Sequence, residues 1–591
     1  MAERIVSPGV FTEERDLSFL PQGISDIGAA IIGPTQKGPA FTPTILSNFS
    51  EFENTFGKVS EDYYVPYTVQ EYLKSASSVT IVRVLGIGGY KTDYVNIVAS
   101  GSSNEDLIAV LAPSRGAGAL GIDGTRVMRS GVEQSGSTVS VTAGDFVIHI
   151  SGSTNTAGTF HETISASFAT SSDLFIDKVI SSDPMNNTSK VYLYKVFKET
   201  AHNNHQSWTE LSVANSASGS AGQDFQSGTG YSAQYGATGV AATWTGNSDY
   251  SVARTPIVID QGATATRSYN NLFRIYSLSH GTSVNEEFKV CVLNIKAAGS
   301  IPGSDYGEFS VQVRKNNPAQ ADDNIVLEQF DNCNFDRTSN NYFARKIGDR
   351  FVEIDSNGKL TYKGDWPNQS KWIRIGDYAD LRNLAKNVVP FGFEAVNNPV
   401  LGANVPTITF KSEQKNGVGD FDQNVFYGFD YKLKDNREYL APIPYNATTG
   451  SNSVFSLANM NGDDNAAGDL NVSTAANSST AITLANSDIA QRKFVMPLQW
   501  GFDGDDPTVI KATGNDISGT NTQGFDLSSA AASGSVAYKR AINAISNPDE
   551  FDINLLAIPG VLHSKGGSIV HSAVTNHAIS KIEARGDAFY V

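Results

Sequence analysis

A chain of 591 residues, 40% hydrophobic and 18% charged, carries ample core-forming material and the length of about three to five domains. That composition excludes a disordered chain, a collagen-like fibre and a coiled-coil rod. The net charge of −17, from 44 Lys+Arg against 61 Asp+Glu, argues against nucleic-acid binding as the main task, because an acidic surface repels phosphate backbones.

No apolar run approaches the ~20 residues that a membrane-spanning helix needs. No basic segment followed by an apolar one stands near Met1, so no secretory signal is read and a cytosolic, soluble chain is expected. Cys291 and Cys333 lie far apart in no metal-like spacing and are expected as reduced thiols.

Residues 1–22 mix strand formers with Pro8, Gly9 and Pro21 and show no helical period, so an extended arm is expected. Fully stretched it would reach about 70 Å at ~3.3 Å per residue. From Asp26 an α/β grammar begins. A short apolar strand over 27–32 stops at Gly33-Pro34. Phe49, Phe52 and Phe56 then mark a helix, with Ser50 and Glu53 at capping-box spacing and Gly57 as its stop. A second helix over 67–74 and a strand over 79–85 follow.

Between about 97 and 345 the chain is rich in Ser, Thr, Gly and Asn. Short alternating runs at 139–141, 146–150, 191–197, 288–293 and 309–313 read as antiparallel strands. Residues 211–250 read as a low-complexity loop. Residues 351–362 predict a hairpin flanking Asn357-Gly358, and 377–385 a helix. Small-residue tracts follow at 446–489 and 512–535. The last sixty residues are the most regular. Tyr538, Ala541, Ile542 and Ile545 predict one helix, and 553–558 a strand stopped by Pro559-Gly560. Val570, Val574, Ala578 and Ile582 predict a second helix, and 588–591 a final strand on which the domain looks cut short. The fold class is α+β multidomain, with inner α/β domains and inserted antiparallel β-rich outer domains.

No sequence pattern for a P-loop, zincin, nucleophile elbow or zinc ribbon occurs. The glycines at 86, 88 and 89 follow a strand but lack the third glycine of a dinucleotide loop, and are read as an interdomain turn. His202 and His205 are read as solvated. His563, His571 and His577 are read as partly buried polar positions. Glu353, Asp355 and Asn357 imitate a calcium loop but fail at its first and last ligands. Asp503, Asp505 and Asp506 are read as an acidic turn. Arg585-Gly586-Asp587 is read as a helix stop rather than an adhesion tripeptide. No catalytic, cofactor-binding or metal-binding set emerges, and no enzyme activity is expected.

The segments SPGVFTEE (7–14), IIGPTQKGPAFTP (31–43), GSDYGEFSVQVR (303–314), NYFARKIGDR (341–350), NPDEFDINLLAIPG (547–560) and RGDAFYV (585–591) are scattered over nearly the whole chain. In these segments and their order the sequence resembles the contractile tail sheath proteins of myoviruses, the T-even-like phages. The resemblance implies a structural subunit that polymerises helically around the tail tube and contracts to drive the tube through the host envelope for genome delivery. Its partners would be further copies of itself, the tail tube protein, and the baseplate and tail terminator proteins, with no direct nucleic acid and no membrane insertion. It would sit in the virion tail, and in the host cytoplasm during assembly.

The resemblance also implies a layout. An arm at 1–22 joins an inner, tube-facing α/β domain at 497–591, and 23–96 plus 346–496 form a middle domain. Outer β-rich domains occupy 97–190 and 191–345. Family members usually continue past the RGDAFYV strand, so the inner domain is expected to be incomplete.

In the family, terminal arms add strands to sheets of neighbouring subunits, which assigns inter-subunit strand exchange to Ile5, Val6, Ser7, Pro8, Gly9, Val10 and Phe11. From Tyr538 onward, five basic residues are balanced by five acidic ones. From the basic set, Lys565, Lys581 and Arg585 are the tube-facing candidates. The alternatives are the sheath subunit of a bacterial contractile injection system or phage-tail-like bacteriocin, a tail fibre or surface adhesin, and a virion glycosidase. The last would need an acidic pair in a deep cleft, which a sheath is not expected to have.

Overall fold

The computed structural model describes residues 28–92, 249–261, 269–300, 302–315, 325–378, 386–394, 489–498, 501–504 and 522–591. It also describes separate strands and short pieces within 95–248, 379–457 and 513–519. The expected arm, 1–22, lies outside the described residues.

The first segment is a layered α/β pattern. Strand β1 (Ala29–Gly33) is followed by β2 (Thr44–Leu46), helix α1 (Phe49–Phe56), helix α2 (Val65–Tyr72) and β3 (Val79–Arg83). The expected capping pair of α1 is displaced by two residues. Asn48 is the N-cap and accepts the Glu51 amide at 2.8 Å, while the Glu51 carboxylate accepts the Ser47 amide at 3.0 Å. Ser50 instead sits inside the first turn. Gly57, at φ 98°, ends the helix as expected and donates to the Glu53 carbonyl. Phe49, Phe52 and Phe56 stack in succession at 5.6 and 5.5 Å.

Residues 89–248 carry two antiparallel sheets. One runs in the order β10 (Val191–Val196), β6 (Glu105–Pro113), β5 (Val95–Ser100), β11 (Glu210–Asn215). The other runs β4 (Gly89–Thr92), β12 (Val240–Ser248), β7 (Val127–Gln134), β8 (Asp145–Thr154), β9 (Gly158–Ser167), with the short helix α3 (Ile176–Val179) packed against β9. Two expectations are corrected here. Residues 211–215 and 240–248 are strands rather than loop, since LSVAN and VAATWTGNS alternate small and branched residues well enough to pair. Pairing also runs across the expected boundary at 190, because β10, β11 and β12 each find partners before residue 135. The strand expected at 139–141 and the histidines at 202 and 205 lie outside the described residues.

A second compact unit surrounds the longest strands. Strands β13 (Val252–Arg254), β14 (Ile257–Asp260) and β15 (Asn271–His280) precede helix α4 (Val284–Glu287). Next come β16 (Phe288–Lys296), β17 (Glu308–Lys315), β18 (Val326–Cys333) and helix α5 (Phe343–Ile347). The hairpin β19 (Phe351–Ile354) and β20 (Leu360–Lys363) is followed by β21 (Ile373–Gly376) and β22 (Pro390–Glu394), then β23 (Tyr427–Gly428), β24 (Val454–Ser456) and β25 (Phe494–Pro497).

Two antiparallel-rich sheets, one around β14–β15 and one around β16–β17, bury Phe273, Phe309, Phe343, Phe393 and Phe494 together. Cys291 and Cys333 are buried in this core as free thiols. The expected hairpin forms with a longer loop than the two residues foreseen, because the Asp355 carboxylate gathers the amides of Asn357 and Lys359 and Gly358 takes φ 86°. The helix expected at 377–385 is described only in part; two successive i→i+3 bonds link Tyr378, Leu381 and Leu384.

The chain then returns to its first sheet with helix α6 (Ser533–Ala544), β26 (Leu555–Ala557), the small hairpin β27 (Ser564–Lys565) and β28 (Ser568–Ile569), helix α7 (Ser572–Arg585) and β29 (Phe589–Tyr590). Strands β3, β1, β26 and β29 are mutually parallel, with β2 antiparallel on the far edge. Ala29 and Ile31 face α1 and α2, burying Phe52, Phe56, Val65 and Val69. Ala30 and Ile32 face α6 and α7, burying Tyr538, Ala541, Ile542, Val574, Ala578 and Ile582.

A parallel sheet covered on both faces explains why AAIIG and VTIVR are apolar without alternation. This pairing corrects the expected layout. Strands β1–β3, at 29–83, share their sheet with the C-terminal segment rather than with 346–496, and the unit at 252–394 crosses the expected division at 345.

The two units meet at a glycine contact. The Gly86 amide donates to the Asp503 carbonyl at 2.8 Å, and a Cβ on Gly86 would stand 1.7 Å from the Gly504 carbonyl oxygen. The glycines after β3 thus serve a close turn between units, as their failed nucleotide pattern implied. Beside them the buried Arg83 donates to the carbonyls of Thr35, Gly38 and His280 at 3.0, 2.8 and 2.6 Å. Asp503, expected in an acidic turn, accepts the Thr282 amide at 2.9 Å and lies 3.8 Å from Arg83.

Candidate functional site

The residues expected at the assembly surface fall into three situations. Ile5, Val6, Ser7, Pro8, Gly9, Val10 and Phe11 lie outside the described residues. Lys565 is exposed near the tip of the β27–β28 hairpin, and Lys581 is half-buried on α7, a separate element.

Arg585 is a correction. Its side chain is 1% exposed, Nη1 donates to the Ile545 carbonyl at 2.6 Å, and Nη2 donates to the Phe551 carbonyl at 2.9 Å. Nε and Nη2 also grip both oxygens of Asp587 at 2.9 and 2.8 Å. With these donors taken inside the chain, Arg585 ties the end of α7 to α6 and the loop before β26, and it offers nothing to a tube. Gly586 takes φ 74° and its amide closes on the Ile582 carbonyl, the expected helix stop.

The surface beside it is built differently. β29 pairs with β26 through Phe589–Leu555 and Tyr590–Leu556, and no strand among the described residues occupies its other edge. Phe589 and Val591 are 77% and 76% exposed there, while Tyr590 packs inward on the α6–α7 side. β29 is two residues long, and the Phe589 and Val591 amides are bonded to the Asn554 and Leu556 carbonyls, so its outer edge offers another strand a short template, the backbone of Tyr590, flanked by bare apolar side chains. Ile569 at the hairpin and Ile579 on α7 extend the exposed apolar surface of this unit. Sequence reading found the strand but not its edge position, which depends on which strands pair.

The three histidines are structural. Buried His571 accepts the Leu562 amide at Nδ1 (3.0 Å), so its proton is on Nε2, which meets the Ser518 carbonyl at 2.9 Å and the Thr522 hydroxyl at 3.1 Å. Burial lowers its pKa, against the raising effect of the Ser518 carbonyl. His563 pairs with the Thr575 hydroxyl and His577 with the Asn543 side chain. No cluster of His, Cys, Asp or Glu suited to a metal occurs among the described residues, and no described helix is long and apolar enough to cross a membrane.

One expectation about clefts is not met. A cavity of about 660 Å³ is lined by Asp349, Asp365 and Asp377 together with Tyr276, Tyr342 and Tyr378. Each carboxylate already has internal donors. Asp349 accepts the Trp366 amide at 2.6 Å and the Tyr378 hydroxyl, Asp377 accepts the Tyr276 hydroxyl at 2.7 Å, and Asp365 accepts Arg337 at 2.8 Å. Burial first, and the bond to Asp349 second, push the Tyr378 phenol well above its ordinary value.

No protein-family model matches this sequence, and no curated protein matches it. Among solved structures, the chain is similar to the sheath tail protein Lin1278 from Listeria innocua. The match is 13% identical, covers 23% of this chain and 26% of that one, and has a TM-score of 0.10. It thus spans about a quarter of either protein.

Proposed function

We propose that this protein is a structural subunit of a contractile phage tail sheath, a helical homopolymer around a tail tube that shortens to drive the tube through a host envelope. The observation that carries the reading is the outer edge of β29, which no strand among the described residues occupies, beside exposed Phe589 and Val591. A strand from another copy, residues 5–11, would pair there and link subunits through backbone hydrogen bonds while leaving the folded units free to re-dock. The ordered segments that resemble the sheath family support the same reading. The tail tube, baseplate and tail terminator proteins would be its partners, and the virion tail its place.

The test is assembly with a defined contact. Purified chain at high concentration is expected to form hollow tubes of uniform width in negative-stain electron microscopy. Val6→Cys with Val591→Cys is expected to give an oxidised ladder of oligomers, read cleanly because both native thiols are buried. Uniform monomers together with no ladder would sink the reading.

The acidic cavity favours one second reading, a glycosidase acting through Asp349 or Asp377. Release of reducing sugar from host envelope polysaccharide, lost in Asp377→Asn, would establish it.

A further inference from the structure

The β19–β20 hairpin belongs to neither of the large sheets around it. Among the described residues its strands pair only with each other, and a lone two-stranded hairpin is marginally stable. Its position depends on what it rests against at either end.

Its root stands in the unit built on β14–β17. There the Asp349 carboxylate accepts the Trp366 amide at 2.6 Å, and Asn368 donates to the Arg350 carbonyl at 2.8 Å. The Phe351 ring lies 4.3 Å from the Arg374 guanidinium. Its tip lands on the other unit, the one built on β1 and β26. Gly358 is buried against α6, where a Cβ would stand 2.3 Å from the Asn543 Cβ and 3.0 Å from the Arg540 carbonyl oxygen. Ile354 packs on the core beneath α6 and α7.

The two ends are held in different ways. Hydrogen bonds fix the root, whereas among the described residues no hydrogen bond or ion pair joins the hairpin to α6. Lifting the tip strands no polar group and gives up only the contacts of Gly358 and Ile354. The hairpin also carries its own braces. Glu353 and Lys363 pair across it at 2.5 Å, the Asp355 carboxylate holds the Asn357 and Lys359 amides, and the Gly358 amide donates to the Asp355 carbonyl at 3.1 Å. Beside it lies a cleft of about 1280 Å³, walled by Val352 and Tyr362 on one side and by Ser50 and Asn54 of α1 on the other. Open space is there for it to move.

We propose that this hairpin is a releasable strap between the two units, docked on α6 in this structure and lifting off as one piece while both cores stay folded. With the tip lifted, the close turn at Gly86 and the bonds of Arg83 remain as the pivot, and the cleft widens. The strap is separate from the β29 edge and does not depend on the assembly reading.

The experiment uses the full chain with spin labels on Asn357→Cys and Ser580→Cys, both exposed, and double electron–electron resonance as the ruler. Cys291 and Cys333 are fully buried and escape labelling. One short distance is expected to dominate in buffer. In Ile354→Ser and in Gly358→Ala, which loosen the docking, a longer second distance is expected to grow at least ~tenfold in population. A control pair within one unit, Lys74→Cys with Ser580→Cys, should not change. Urea supplies a measurement that needs no loosened variant: the 357–580 distance should lengthen at concentrations below those at which Cys291 reacts with Ellman's reagent. Lengthening only together with Cys291 exposure overturns the proposal and makes the hairpin a fixed brace, as does a single unchanged distance in both folded variants. A broad 357–580 distribution already in buffer, with the control pair sharp, overturns it as well, because the tip would then not be docked.

Discussion

At Arg585 the sequence reading and the structure part most clearly. A basic residue near the end of a helix reads as a surface charge, yet this one is sealed by two carbonyls and a carboxylate from its own chain. The signal that could have found it is Asp587 two residues on, since a short-range acid lets arginine turn back inward. Arg585→Met is therefore expected to cost about 2–3 kcal/mol by stranding the Ile545 and Phe551 carbonyls. Lys581→Glu should stay within ~0.5 kcal/mol, both read from urea melts.

His571 sets a pH dependence. Its folded pKa lies below the ordinary 6.5, so as pH falls below 6.5 the unfolded chain takes up a proton that the folded chain refuses. Stability is full above 6.5 and declines as pH falls from there towards the folded pKa. Buried His280, lowered to about 3 by burial and then by Arg83 and Arg374, adds to the same slope. The melting temperature should fall between pH 6.5 and 5, and less steeply in His571→Gln. An equal slope in that variant would remove His571 from the account.

Among the elements, local grammar was legible wherever burial repeats at a fixed period. The Phe49–Phe52–Phe56 stripe, the α6 and α7 faces and the 351–363 hairpin are where the residues put them, because each needs only neighbours within one or two turns. Cap and loop details shifted, since Asn48 competes for the helix start with Ser50 and wins by standing outside it with extended backbone. The strands at 211–215 and 240–248 were missed because small polar residues hide alternation. Phe56, fully buried under β1 and stacked on Phe52, should cost about 3–5 kcal/mol when replaced by alanine. Phe589→Ser, on the bare edge, should leave the melting temperature unchanged yet reduce tube formation; intact assembly in that variant would exclude the β29 edge as the contact.

For the whole molecule, what the sequence could not reveal is partnership between distant strands. β1 reads the same whether it pairs with β26 or with a strand at 373, because both are short and apolar; only the helices available to cover each face decide. The junction at Gly86 follows from the same long-range arrangement. Gly86→Val would drive a side chain into the Gly504 backbone, so the two units are expected to separate there. Limited proteolysis should then cut near residues 86–90 at rates at least ~tenfold above wild type, with each unit's own core intact. An unchanged digestion pattern would mean that Arg83 and its carbonyls hold the junction alone.

The shared sheet also imposes an order of events on synthesis. Roughly 470 residues of chain lie between the end of β3 and the start of β26, so a ribosome adding ~5–20 residues per second leaves β1 without its second neighbour for about 25–95 s. During that interval an apolar strand edge waits in the open while the unit at 252–394 begins to fold beside it. Chaperone occupancy on nascent chains should peak there, and vanish in a circular permutant that makes 551–591 before residue 28.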